Sequence, residues 1–564
     1  MKRPELVIGL VGPIAADRSR VVRCVIGSLS EMGYHAAVIK VSGLFRTLPH
    51  RFWRELPDDG PADLRYVALM TAGDTLRQLM DSNDAAALLA IREIVASRPK
   101  AIKNVGNRGV AFIVDSLKTP EEVSRLRGLY GNRFFAIAVH GPRARRCKEL
   151  ASQIATSRHA TQAGAWMAVA EELVYRDERG SDANYYGQNT AAAFPGADLV
   201  CESFSSDLDT TIDRFFRALF GDPYVTPTRE ELGMAYAYAA SRRSAAMSRQ
   251  VGAALMQSES GSLLSIGCNE VPAPGGGQYW PGPHDARDFV VGFDPSDSYK
   301  RTILANTIER LMDAGWKPPN WSKRSTSQSV ARRRYVDQQV NELWQARSDS
   351  SATRLRHSLL VADIVDLNRT VHAEMAALID CARRGVAVQG ATLFSTTFPC
   401  HECARHLVAA GITDVYYLEP YAKSLVAEYF SDSIAIDAEP EETGSQDSNA
   451  RIKVQFRSFS GVAPVLFHDL FRIEKRKQSS SGLRIDWNKE KAFPRRDIVP
   501  DPDRHAKSGK QEALAAALKE REEVKRFLTQ FDQRLGELSG RILVRDAEEQ
   551  VKEVFRQDAY TKGG

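Results

Sequence analysis

Four residues of this chain have the types and spacing for metal-assisted chemistry. His372 and Glu374 form an H-x-E pair, and Pro399, Cys400 and Cys403 form a P-C-x-x-C run downstream. One imidazole and two thiolates are three of the four ligands that zinc prefers, and a site with three protein ligands keeps a position for water. Zinc lowers the pKa of a bound water to about 7, so hydroxide forms at neutral pH. Glu374, two residues past His372, can reach that water without ligating the ion. Its carboxylate would take the water's proton and hand it to a substrate.

A closed structural zinc site is the competing reading. It needs a fourth Cys or His at short spacing, and His401 and His406 are the candidates. His401 sits inside the C-x-x-C run, where a helix would turn it away. The open reading is supported by an apolar helix after His372, through Met375, Ala376, Leu378 and Ile379. Pro399 suits the first turn of a second helix, and a helix start at Cys400 favours thiolate charge. H-x-E followed by P-C-x-x-C is the signature of zinc nucleobase deaminases, in which the Glu protonates ring nitrogen N3 and helps ammonia leave.

The elements that must hold these residues belong to a long chain. Its 564 residues exceed a single core, so two or three domains are expected. Hydrophobic content of 43% and charged content of 26% are ordinary for a soluble protein. A net charge of +5 gives no strong basic field, so composition does not imply nucleic acid. Seven scattered cysteines, two of them claimed by metal, fit a reducing, cytoplasmic compartment better than a disulfide framework. The start superficially resembles a signal peptide, but Gly9, Gly12 and Pro13 break its apolar run. No membrane span is expected.

Leu6 to Gly12 reads as a buried parallel strand ending in a turn, residues 18–33 as a helix, and Ala36 to Val41 as a second strand. This is the nucleotide-binding opening of P-loop proteins. A Walker A loop requires G-x-x-x-x-G-K-[ST]. Gly12 to Ser19 matches only at its ends: Asp17 replaces the second glycine and Arg18 the lysine. Gly9, Gly12, Arg18 and Ser19 are therefore weak nucleotide-binding candidates in a degenerate loop, and a scaffold without hydrolysis is the plainer reading. Val110 to Asp115 reads as a strand ending in Asp, as in a Walker B element. Arg143, Arg145 and Arg146 follow a buried strand, either as a lid over phosphates or as a solvated helix face. A short strand at 197–200 and a helix at 207–220 close a first domain over 1–224.

The second domain, 228–473, opens with a helix over 228–248 and a hairpin over 251–255 and 262–267. Asn269 follows, placed either to bind ribose or phosphate or to hold the turn. Residues 284–356 read as a polar, partly helical insertion. A strand over 390–396 leads to Cys400, Gly411 stops the second zinc helix, and 415–418 is the next strand, giving a mixed sheet with helices on its faces. Beyond 473, Lys475 to Lys477 and several prolines read as an exposed basic linker. Residues 511–535 have apolar residues at helical spacing, for docking, self-association or core packing.

The zinc stretch, together with 249–253, 267–272 and 419–425, resembles deoxycytidylate deaminases. With a kinase-like first domain, Gly276 to Trp280 and Asp285 to Phe289, residues 4–473 resemble the bacterial anti-phage dCTP deaminases (AvcD-like). The resemblance implies an α/β protein: a P-loop kinase-like parallel sheet domain, a cytidine-deaminase-like α/β/α domain, and a helical tail over 474–564. It implies hydrolysis of dCTP and dCMP to the uracil forms, draining dCTP during phage infection. Zinc ligation falls on His372, Cys400 and Cys403, proton shuttling on Glu374, nucleotide contact on Asn269, and phosphate contact on Arg249 and Lys423. It further implies homo-oligomers, a small antitoxin RNA in some members, and room for ATP or GTP as a sensor in the first domain. Two alternatives share the zinc signature: a base deaminase on RNA or single-stranded DNA, and a nucleotide-sensing regulator with a vestigial deaminase site.

Overall fold

The computed structural model describes residues 3–48, 51–104, 108–179, 186–316, 328–344, 361, 364, 367–420, 424–438, 453–472, 475–495, 498–499 and 508–537. The chain divides into two compact units: 1–181, 185–235 and 458–564 form the first, and 182–184 and 236–457 the second.

The first unit is built on a six-stranded sheet. Its strands are β1 (Leu6–Val11), β2 (Tyr34–Lys40), β3 (Gly109–Leu117), β4 (Phe134–His140), β5 (Leu199–Glu202) and β12 (Gly461–Val462), in the order β12-β5-β4-β1-β3-β2. β1 to β5 run parallel, and β12 joins the β5 edge antiparallel. β1 and β4 are buried along their whole length, as unbroken apolar runs between two helix layers must be. The chain leaves β1 toward β2 and leaves β4 toward β5. Their carboxyl ends therefore flank a topological switch point, where open α/β sheets form a crevice.

The expected boundary at residue 473 falls inside this unit. Residues 475–484 are exposed, as a linker would be. Beyond them, Ala492, Ile498 and Val499 enter the core beside Leu219 and Phe220. Trp487 Nε1 donates to Phe220 O at 3.1 Å, and Arg495 N donates to Leu219 O at 2.9 Å. The C-terminal helix Ser508–Glu537 buries Phe527 and Phe531, the latter 5.7 Å from the ring of Trp53. Of the three roles open to that helix, core packing is the one its contacts show.

The second unit carries a sheet in the order β10-β11-β9-β8-β6-β7, from β6 (Gly252–Gln257), β7 (Leu263–Cys268), β8 (Ala391–Thr397), β9 (Asp414–Glu419), β10 (Ile434–Ile436) and β11 (Val454–Ser458). β6 pairs antiparallel with β7 and β8, while β8 and β9 run parallel, so the expected mixed sheet is present. Two glycines set how closely helices lie on it. A Cβ at Gly252 would stand 2.0 Å from Ala237 O, and one at Gly267 would stand 2.2 Å from Ala373 O. The helix expected over 228–248 spans Arg229–Ser241 instead. The next residues leave the helix for side-chain partners: Ser244 Oγ donates to Asn269 O, and Ala245 N donates to the Glu270 carboxylate. The insertion is helical over Asp288–Val291, Pro295–Asp313 and Gln328–Trp344, with a small core of Ile308, Val336 and Val340.

Two outcomes test the first unit. Truncation after 473 strips its core and gives insoluble or unfolded protein, whereas a true linker would be dispensable; solubility and circular dichroism read this. His140 is buried, and burial, followed by the Arg146 charge, pushes its pKa from 6.5 down to about 3. The folded state therefore refuses a proton that the unfolded chain takes up. Stability is full above about pH 6.5 and falls as pH drops below it, by about 1.4 kcal/mol per unit for this group. In His140→Asn that slope flattens by up to one proton, measured by denaturant titration at several pH values.

Candidate active site

The helix Ala373–Arg384 begins at His372, which is its N-cap, and ends at Gly385 in the left-handed conformation. The helix His401–Ala409 begins at Cys400, again the N-cap. Pro399 thus lies one residue before the cap rather than in the first turn. The chain is still extended there as it leaves β8, where Phe398 N donates to Glu419 O at 2.8 Å. The side chains of both N-cap residues turn to a common point.

At that point His372 Nδ1 is 3.3 Å from Cys400 Sγ and 3.4 Å from Cys403 Sγ. The three ligand atoms lie within 4.8 Å of one another. A tetrahedral zinc with bond lengths near 2.0 and 2.3 Å needs an N···S separation of about 3.5 Å, so the donor set and spacing fit the ion. Among the described residues no fourth ligand joins the cluster. His401 instead packs edge-on against Tyr429, and His406 is exposed in the last helical turn. The hydrogen bond from Cys403 and the neighbouring imidazole hold the Cys400 thiol well below its ordinary range, while that same bond and burial push Cys403 up. The hydrogen bond to Cys400, in turn, raises the His372 imidazole to about 9.

Glu374 is 3% exposed in the first turn of its helix. Its Oε2 is 3.4 Å from Cys403 Sγ, and its Oε1 accepts from Ser395 Oγ at 3.2 Å. Burial, then the negative charge on Cys400, push its carboxyl above the usual carboxylate range. This is an acid–base group held beside a metal-ligand set.

The remaining sequence candidates are placed unevenly. Asn269 is buried; its Oδ1 accepts from Val251 N and its Nδ2 donates to Arg249 O, both at 2.7 Å. These are the turn-holding contacts of the two readings open from sequence. Arg249 pairs with Glu419 at 2.5 Å, 44% exposed at the carboxyl ends of β8 and β9. Lys423 lies outside the described residues. Gly9 makes room inside the first sheet: a Cβ there would stand 2.8 Å from Leu117 and 2.9 Å from Phe134. Gly12 ends β1, Ser19 is exposed in the following helix, and Arg18 pairs with Asp115 at 3.0 Å.

Sequence reading missed three residues around the centre. Ser395 lies in the central strand, where its hydroxyl meets Glu374. Asn368 Nδ2 is 3.4 Å from His372 Nε2. Glu270, 1% exposed, forms a backbone bridge with Val371, which pins the approach to His372. Glu270 lay within the 267–272 stretch without a role of its own, and nothing in the sequence pointed to Asn368.

A His/Cys/Cys cluster beside a buried glutamate is the residue set that zinc-dependent base deaminases use. Residues 227–419 match the family model described as the cytidine and deoxycytidylate deaminase zinc-binding region. The chain is 34% identical over 90 residues to ComE operon protein 2 of Bacillus subtilis, covering 16% of this chain and 48% of that protein. It is 25% identical over 188 residues to the deoxycytidylate deaminase of Enterobacteria phage T4, covering 33% of this chain and 76% of the phage enzyme. Among solved structures, the dCMP deaminase of cyanophage S-TIM5 aligns at 15% identity and TM-score 0.19, over 42% of this chain and 99% of that one. The chain thus spans about half the length of the Bacillus relative.

The centre makes a direct expectation. Purified protein holds zinc in near-stoichiometric amount, and His372→Ala or Cys403→Ala loses it, as read by elemental analysis and a colorimetric chelator.

Proposed function

We propose that the second unit hydrolytically deaminates deoxycytidine nucleotides, dCMP and dCTP, to the uracil forms. The observation that carries this is the Glu374 carboxylate, buried beside the convergent His372, Cys400 and Cys403, within the stretch that matches the deaminase zinc-binding region. Zinc held by those three residues would supply Lewis-acid activation of water. Glu374 takes a proton from the attacking water as its oxygen bonds to C4 of the base. It passes that proton to N3, then carries the proton of the new C4 hydroxyl to the exocyclic amine. The C4–N bond breaks and ammonia leaves, with no change of oxidation state. Ser395 holds Oε1 of Glu374, which leaves Oε2 as the oxygen nearer the metal ligands. In this reading Asn269 shapes the 249–251 turn that borders the nucleotide, and Arg249 and Lys423 supply cations for its phosphates. The wider proposal is a P-loop-like first unit fused to a deaminase that drains dCTP in defence against phage, in an oligomer.

A second reading has its own support. Trp280, Phe289, Phe293 and Tyr299 are exposed, and Arg243 and Arg287 stack on the first two, 3.9 and 4.8 Å from the ring centroids. Exposed rings with guanidinium partners suit unstacked bases of a single strand.

Product analysis of the purified protein across dCMP, dCTP, CTP and a cytosine-containing oligonucleotide decides between them. Turnover of free deoxycytidine nucleotides is expected; turnover of the oligonucleotide alone would establish the second reading. Glu374→Ala keeps its zinc and loses roughly 10²–10⁴-fold in kcat. Ser395→Ala keeps zinc and KM and loses about tenfold in kcat, while Ser395→Thr, which restores the hydroxyl, recovers much of it.

A further inference from the structure

The loop after β1 in the first unit stands where open α/β sheets bind ligands. In a phosphate-binding loop the backbone amides point inward and are free, and a lysine and the helix N-terminus supply positive charge. Here each of those roles is taken by the chain itself. Asp177 is 1% exposed; its Oδ2 accepts from Ile14 N at 2.7 Å, and its Oδ1 accepts from Lys118 Nζ at 2.8 Å. Lys118 Nζ also donates to Gly12 O at 2.9 Å. Arg18 Nη1 donates to Pro13 O at 2.8 Å, and Arg146 Nη1 donates to Ile14 O at 3.4 Å. Three successive loop carbonyls therefore face three cations. Each cation meets a carboxylate: Asp115 for Arg18, Asp177 for Lys118, and Glu178, which Arg143 shares, for Arg146. The N-terminus of the helix Arg18–Glu31 is capped by Asp17, which accepts from Arg20 N at 2.9 Å.

The geometry points to a self-filled site: the Asp177 carboxylate occupies the position of a phosphate in this loop, Lys118 is its counterion, and the crevice binds no nucleoside triphosphate. Its work is structural. Asp177 fastens the helix Met167–Arg179 to the ends of β1 and β3 through one buried anion. Each of the three cations that face the loop is already paired, so a polyphosphate would compete with a carboxylate for it. A ligand would have to displace a buried carboxylate that already has a charged partner and an amide donor, and the uncovered ion would then stay desolvated.

The test uses the full chain with fluorescent N-methylanthraniloyl ATP and GTP and Mg²⁺. Wild type is expected to show no saturable binding to the millimolar range at this loop. Asp177→Ala and Lys118→Met are each expected to lower the melting temperature by roughly 10 °C, since each leaves one buried charge unpaired. Asp177→Asn/Lys118→Met removes both charges, keeps an acceptor for Ile14 N–H, and is expected to recover more than half of that loss. Saturable binding to wild type that is abolished by Arg18→Ala or Ser19→Ala overturns the proposal. Binding that survives both substitutions lies elsewhere and leaves it standing. A double variant no more stable than either single one also overturns it, because the pair would then not be what the loop holds. None of these readouts involves zinc or deamination, so failure here is separable from failure of the proposed reaction.

Discussion

The second unit depends on one convergence. An imidazole nitrogen and two sulfurs, carried by segments far apart in sequence, must come within a few ångström of a single point. Both segments reach it in the same way, with a ligand at the N-cap of a helix where the backbone is still extended. The cap position turns a side chain toward the helix axis end, where the partial positive charge of the helix favours thiolate. Everything that brings the two helix starts together serves this point. The bridge between Glu270 and Val371 fixes the entry to one helix, and β8 feeds the other directly. Gly267 removes the side chain that would push the first helix off the sheet, since any Cβ there collides with backbone of Ala373.

Much of this was legible in the sequence. The ligand spacing, the glutamate two residues past the histidine and the alternation of strands and helices are local patterns, and local patterns survive in one dimension. What escaped was set by partners distant in the chain. Ser395 is an ordinary strand serine until Glu374 lies above it. The helix start Arg229 was readable from its acidic first turn, but its end at Ser241 depends on Asn269 and Glu270, which draw Ser244 and Ala245 out of the helix. The segment after 473 follows the same rule. Lys475 to Lys477 and the prolines describe a linker by composition, whereas the sparse apolar residues Trp487, Ala492, Ile498 and Val499 decide where it docks.

The polar candidates show how far residue type falls short of role. Asn269 and Arg18 could each be read as a ligand contact or as a fastener. In the fold, both ends of the Asn269 amide meet backbone of 249–251, and the Arg18 guanidinium spans Asp115 and Pro13. A group whose hydrogen-bonding capacity is largely met inside the chain has little left with which to discriminate a ligand, and taking it from its partners carries a desolvation cost. Arg249 differs: it pairs with Glu419, and its guanidinium stays nearly half exposed.

Two buried carboxylates, Glu374 and Asp177, make the same distinction sharper. Both are almost wholly removed from water. Asp177 has a lysine at 2.8 Å and a backbone amide at 2.7 Å, so its charge is neutralised by groups of fixed position. Among the described residues Glu374 has no lysine or arginine partner; it rests against a serine hydroxyl and a cysteine of the ligand set. Burial without a fixed cation raises a carboxyl's proton affinity, which a proton shuttle needs and a structural anchor must avoid. The pairing of each anion, more than its burial, therefore separates the residue that can exchange a proton from the residue that holds a loop shut.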